Sequence, residues 1–151
     1  MQKCKNAAIE QLEDYNLFNK YNIKVQKKEV KIEVKKIKDS KATINISEDQ
    51  FEGIKDIMLR INYEGDIGYS FINGDLISDN FCNGSVWEIS LDRFKERLRE
   101  EEMYIYISSI RKGSKVTNDT TMAGRVEITE EEIANINSIN VVPIYEIELH
   151  I

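Results

Sequence analysis

The sequence predicts an all-β protein, a β-sandwich or jelly roll carrying one or two short helices. Three observations lead there. Apolar residues recur with period two in a series of short runs, the spacing of half-buried strands. Turn residues separate those runs, most clearly Asn73-Gly74. No helical stretch between the runs is long enough to be the crossover of a parallel sheet, which removes an α/β reading.

The chain has 151 residues, the size of one domain with room for a substantial core. Apolar residues make up 41% and charged residues 32%, a folded composition rather than a disordered or membrane one. No apolar run approaches the roughly 20 residues that span a bilayer, and the opening MQKCKNAAIEQLEDY lacks the apolar centre of a signal peptide. A cytoplasmic chain without membrane contact is expected. The net charge of −6 and a pI near 5.0 argue against a general nucleic-acid binder, which needs cations to displace phosphate counterions. Cys4 and Cys82 have no metal-ligand spacing and make no disulfide framework. Cys82 reads as a small core residue and Cys4 as a free thiol.

Residues 1–22 stand apart. Ile9, Leu12 and Tyr15 or Asn16 fall at helical spacing, so this segment reads as a weak helix, a linker or the tail of a preceding domain. The sandwich is expected over 23–151. There the period becomes two, with Val30, Ile32 and Val34 on one face and Lys31, Glu33 and Lys35 on the other. Across 24–41 lysines alternate with Val and Ile, the pattern of an edge-prone strand whose lysines discourage mispairing. After polar turn residues at 38–41, Ala42, Ile44 and Ile46 form a second run. SEDQFEG at 47–53 is a loop with room for one helical turn, Ser47 as its cap.

The clearest strand sets Ile57, Leu59, Ile61 and Tyr63 inward against Met58, Arg60, Asn62 and Glu64. Gly65-Asp66 turns out of it into a strand over 67–72, where Gly68 marks a bulge or a close backbone approach. Asn73-Gly74 suits a type I′ hairpin because both central positions need positive φ. Residues 76–78 then pair antiparallel with 69–72. Asp79, Asn80, Asn83 and Gly84 supply the next turn, after which Trp87 and Ile89 lie opposite Val86, Glu88 and Ser90.

Leu91, Phe94 and Leu98 fall at helical spacing, giving one short helix or a pair of turns. Met103, Ile105 and Ile107 alternate with Tyr104 and Tyr106, so both faces of that strand are expected to be covered. Residues 111–124 have the composition of a long surface loop and form a candidate functional segment. Val126 and Ile128 make a short strand, Thr129 caps a helix start, and Ile133, Ile136 and Ile139 pack beneath it. The closing run puts Tyr145, Ile147, Leu149 and Ile151 on one face. Counting runs gives about eight strands.

Chemistry is sparse. Glu64, Asp66, Asp79 and Glu88 are carboxylates that could flank a sugar, but no spacing rule joins them, and turn-forming and surface roles are the simpler account of them. His150 has no Ser or Cys partner in a recognisable motif. The glycines are scattered singly through turns, so no phosphate-binding loop is present. No ligand spacing supports a structural Ca²⁺ among the turn acids, and no metal or cofactor is expected. Trp87 admits two readings. Its indole could stack on a sugar while Asp79, Asn80, Asn83 and Glu88 bond the hydroxyls, or it could pack in the core or at a domain interface, as single tryptophans of sandwiches do.

One stretch carries a resemblance. Tyr63, Gly65 and Asp66 end a strand, Gly74, Leu76 and Ile77 form a hairpin, and Asp79, Asn80, Phe81, Asn83, Gly84, Trp87, Glu88 and Ile89 follow, with Arg93 and Phe94 downstream. This pattern resembles the C-terminal β-sandwich region of β-galactosidase-like glycoside hydrolases, those related to glycoside hydrolase family 35. It covers about a quarter of the chain, and the ending SINVVPIYEIELHI is similar in style. Cys82 replaces the usual aromatic after Phe81, and residues 1–54 match only in general β character.

The resemblance implies a jelly roll of galactose-binding type that follows a catalytic barrel. Such a barrel takes about 250 residues, and the family's catalytic Glu pair belongs to it, so no catalytic residue is carried over here. The expected function is a non-catalytic accessory module, its partners an upstream barrel of the same enzyme and a galactoside or related glycan. The alternative is a structural docking or oligomerisation module without sugar binding.

Overall fold

The described residues of the computed structural model are 7–15, 18–110 and 132–148. They contain ten strands in three antiparallel sheets. β1 (Ala7–Tyr15) and β2 (Phe18–Val25) form a two-stranded sheet of their own. β3 (Glu33–Lys38), β4 (Lys41–Asn45), β6 (Ile67–Ile72), β7 (Asp75–Phe81) and β9 (Met103–Ile107) form a five-stranded sheet in the order β3-β4-β9-β6-β7. β5 (Asp56–Glu64), β8 (Trp87–Ser90) and β10 (Asn135–Ile144) form a three-stranded sheet in the order β10-β5-β8. Helix is limited to 3-10 turns at Glu48–Phe51 and Asp92–Phe94 and one α-helical turn, α1 (Lys95–Leu98).

The larger sheets make an all-β sandwich. Ala42, Ile44, Ile72, Met103, Ile105 and Ile107 line the inner face of the five-stranded sheet, and Ile57, Leu59, Ile61, Tyr63, Trp87 and Ile89 that of the three-stranded sheet; all belong to one buried cluster. Alternation along each strand produces this, because successive side chains leave a strand on opposite faces. β5 is the plainest case, its residues at 57, 59, 61 and 63 all buried. Asn73 and Gly74 hold φ of 50° and 82°, the conformation a type I′ hairpin requires.

Four strand pairs carry a register shift, and those involving β7 and β10 bear on the core. On β7, Phe71 pairs with Leu76 and Ser70 with Ser78, leaving Ile77 as the extra residue. Ile77 and Ser78 therefore both turn towards the core, while Leu76 faces out. On β10, Ile136 pairs with Tyr63 and Ser138 with Asn62, so Asn137 is extra. That bulge puts Ile136, Ile139 and Val141 on one face despite the three-residue gap.

Several expectations are corrected. The helix expected around Ile133, Ile136 and Ile139 is instead an isolated bridge, Ile110 to Ile133, followed by β10; the three-residue interval from Ile136 to Ile139 came from the bulge. Residues 7–15 and 18–25 are strands rather than a weak helix, with Ala7, Ile9 and Gln11 opposite Val25, Ile23 and Tyr21. The strand expected through Val30 starts at Glu33; Val30 and Ile32 pack against the core from irregular backbone, and Val34 is exposed. β3 is the exposed edge of its sheet, so the lysine-edge reading stands at Lys35, Lys36 and Lys38. Asp79 and Asn80 lie inside β7 rather than in a turn. Tyr145 to Glu148 are irregular, with Tyr145 and Ile147 less exposed than Glu146 and Glu148. Cys4, the 111–124 segment, Val126, Ile128, Thr129, Leu149, His150 and Ile151 fall outside the described residues.

Candidate functional site

The five residues singled out from the sequence do not share a surface. Trp87 is 3% exposed. Its ring stands edge-on to Tyr63 at 6.0 Å between centroids, and its indole N–H donates to Ser78 Oγ at 3.3 Å. Glu88, the next residue, points to the opposite face and pairs with Arg60 at 3.0 Å. Asn80 faces inward, its amide donating to the Tyr63 hydroxyl at 2.9 Å, and that hydroxyl donates to Asn80 O at 2.7 Å. Asp79 lies on the other side of β7, exposed opposite Tyr69. Asn83 accepts the Ser85 N–H at 2.9 Å beside Gly84, which has φ of 82°, an Asx turn that satisfies the local backbone. The core reading is therefore the one the geometry of Trp87 matches.

A different set of aromatics reaches solvent. Tyr69 and Phe71 on β6 and Tyr104 and Tyr106 on β9 project from the outer face of the five-stranded sheet, each half-buried. Pairing of Tyr69 with Tyr106 and of Phe71 with Tyr104 sets them in a block two residues wide and two deep. Tyr69 and Tyr106 are near parallel, 14° between planes and 6.0 Å between centroids. Phe71 lies 6.3 Å from both Tyr69 and Tyr104. The two-fold period explains this: Ser70, Ile72, Met103, Ile105 and Ile107 take the core, so every aromatic between them must face out.

The register extends the block sideways into two rows. One runs Lys35, Thr43, Tyr104, Phe71, Leu76; the other runs Lys38, Lys41, Tyr106, Tyr69, Asp79. Lys41 Nζ stands 5.3 Å from the Tyr106 ring centroid, within cation–π range. At the β7 end Leu76 and Phe81 are 53% and 48% exposed. The face therefore grades from cationic through aromatic to an apolar margin that holds one acid, Asp79. Tyr104 and Tyr106 were visible in the sequence as one aromatic face, but not their junction with Tyr69 and Phe71, which depends on β9 inserting between β4 and β6.

A second concavity, an open cleft of about 590 Å³, has a floor of Ile32, Ile46 and Leu98. Part of its polar lining is bonded within itself or to neighbours: Gln50 accepts the Lys31 N–H at 2.8 Å, Asn45 donates to Glu102 at 2.8 Å, and Arg99 pairs with Glu48 and Glu96. Nearby, the Ser47 hydroxyl beside Asp49 holds that carboxyl below its ordinary pKa, with Gln50 assisting. These bonds brace the 3-10 turn. Among the described residues no group of three or more His, Cys, Asp and Glu is placed to hold a metal ion, and no helix is long and apolar enough to cross a membrane.

Comparison of the chain with protein-family models, with curated protein sequences and with solved structures finds no match in any of the three.

Proposed function

We propose that this chain is a non-catalytic β-sandwich module, an accessory part of a β-galactosidase-like glycoside hydrolase, and that it takes a glycan on the outer face of its five-stranded sheet. The aromatic block of Tyr69, Phe71, Tyr104 and Tyr106 carries this reading. Aromatic rings offer sugars an apolar contact of low conformational cost, and polar groups at the rim fix orientation. Here the rim holds Lys41 and Asp79. The enzyme context rests on the resemblance of residues 63–94, and the block replaces Trp87 as the ligand surface.

The test is titration of the chain with galactosides and a broad glycan panel at millimolar concentration, with binding read by tyrosine chemical shifts. Binding is expected, and Tyr69→Ala/Tyr106→Ala should abolish it with little change in melting temperature. Silence across the whole panel would end the glycan reading.

Exposed Leu76 and Phe81 on the same face favour a second reading, docking of this face against a neighbouring domain or copy without sugar. In that case Leu76→Lys/Phe81→Lys would break the association and leave no glycan binding to lose.

A further inference from the structure

We infer that the glycan selected by this face is anionic, a polysaccharide bearing carboxylate or sulfate groups, held with Tyr69 and Tyr106 against a sugar ring and Lys35, Lys38 and Lys41 on its acid groups. The inference rests on the glycan reading of the outer face.

Both aromatic rows begin at lysines. Lys35 leads to Tyr104 through Thr43, and Lys41 is paired directly with Tyr106. Lys38 and Lys41 are themselves directly opposite across the β3–β4 hairpin. Like charges so placed destabilise a strand pair, and an anion between them converts that repulsion into attraction. The chain has 27 acidic residues against 21 Lys and Arg, yet among the described residues none of these three lysines forms an ion pair. Lys36, Lys55, Arg60, Arg97 and Arg99 all do. Lys36 is the informative contrast, since it lies on the opposite face of the same strand and meets Asp39 at 3.4 Å. The acids of the outer face lie towards its margins, Glu33 beyond Lys35, Glu102 bonded to Asn45 and Asp79 beyond Tyr69. A cationic strip beside an aromatic block complements a chain whose sugar faces are apolar and whose substituents are acidic. Lysine heads attract such groups as point charges in a salt-dependent way.

The experiment compares binding of the full chain to polygalacturonate, a sulfated galactan, neutral β-1,4-galactan and poly(U) RNA by affinity electrophoresis at low and raised salt. At least one anionic glycan is expected to bind at least tenfold more tightly than neutral galactan, and to weaken as salt rises. Lys35→Glu/Lys38→Glu should erase that preference while binding of neutral galactan is kept; Lys35→Gln/Lys38→Gln serves if charge reversal impairs folding. Equal binding of neutral and anionic glycans would overturn the inference and leave the glycan reading standing. Binding of no glycan removes both. Poly(U) bound more tightly than every glycan overturns both in favour of a single-stranded nucleic acid, the other ligand that joins rings to anions.

Discussion

The six-membered ring of Trp87 lies directly against the backbone of Gly68: a Cβ built on Gly68 would sit 2.7 Å from Cζ3 and 2.9 Å from Cε3 of the indole, and 3.2 Å from Cζ of Tyr63. Gly68 thus lets β6 admit a ring from the opposite sheet. Gly68→Ala should destabilise the protein by about 1–3 kcal/mol through overpacking, read as a lower urea midpoint at unchanged slope. Trp87→Phe should recover part of that loss in the double variant. Trp87→Ala alone should cost about 3–5 kcal/mol, the range for emptying a core aromatic site.

Tyr63 joins the two sheets through its hydroxyl, which accepts from the Gly68 N–H at 3.3 Å and from the Asn80 amide at 2.9 Å and donates to Asn80 O at 2.7 Å. Tyr63→Phe keeps the ring and strands those partners. A loss of about 1–3 kcal/mol is expected, the cost of leaving buried polar groups unpaired, together with faster amide exchange at Gly68. An unchanged exchange rate would count against this role.

Ser70 is fully buried, and among the described residues its hydroxyl has no hydrogen-bond partner. Removing an unpaired polar atom from an apolar site relieves its desolvation, so Ser70→Ala should be neutral or stabilising by up to about 1 kcal/mol. Ser78→Ala is the contrasting control. Ser78 accepts the Trp87 indole N–H, so its loss should destabilise by about 1 kcal/mol. Calorimetric melting of the two variants should move in opposite directions or differ clearly.

Two exposed groups set opposite limbs of the pH profile. Lys55 is raised above its ordinary pKa, first by its hydrogen bond to Glu146 and then by that carboxylate's charge. Its contribution is fully present below the unfolded lysine value and is lost as pH rises through the folded one. Asp49 is lowered, chiefly by the Ser47 hydroxyl, so its contribution is present above the ordinary carboxylate value and is lost as pH falls through the lowered one. Lys55→Gln should flatten only the alkaline limb of a melting-temperature profile and Asp49→Asn only the acid limb. Both effects are small because both groups are exposed.

Local periodicity alone was enough for β4, β5, β6, β8 and β9, because one-sided burial demands alternation and those strands obey it. The Asn73-Gly74 turn was equally legible, since its φ values suit few other residues. Where a bulge intervened, the same rule misled. The gap between Ile136 and Ile139 reads as helical until Asn137 is known to be the extra residue. β1 and β2 were missed because Ile9 and Leu12 mimic a helical interval, although they lie on opposite faces of the hairpin.

By itself, then, the sequence determined an all-β chain, the inward residues of its regular strands and its tightest turn, all consequences of backbone geometry over a few residues. Tertiary structure alone decided what its aromatics do. Trp87 and Tyr69 are both aromatics at alternating positions of short strands, but β8 turns Trp87 onto Gly68 in the core, whereas β9 inserted beside β6 assembles Tyr69 with Tyr106 on the outside. Which face of a strand is covered depends on the other sheet, and which rings become neighbours depends on strand order. Neither is encoded within the reach of a single strand.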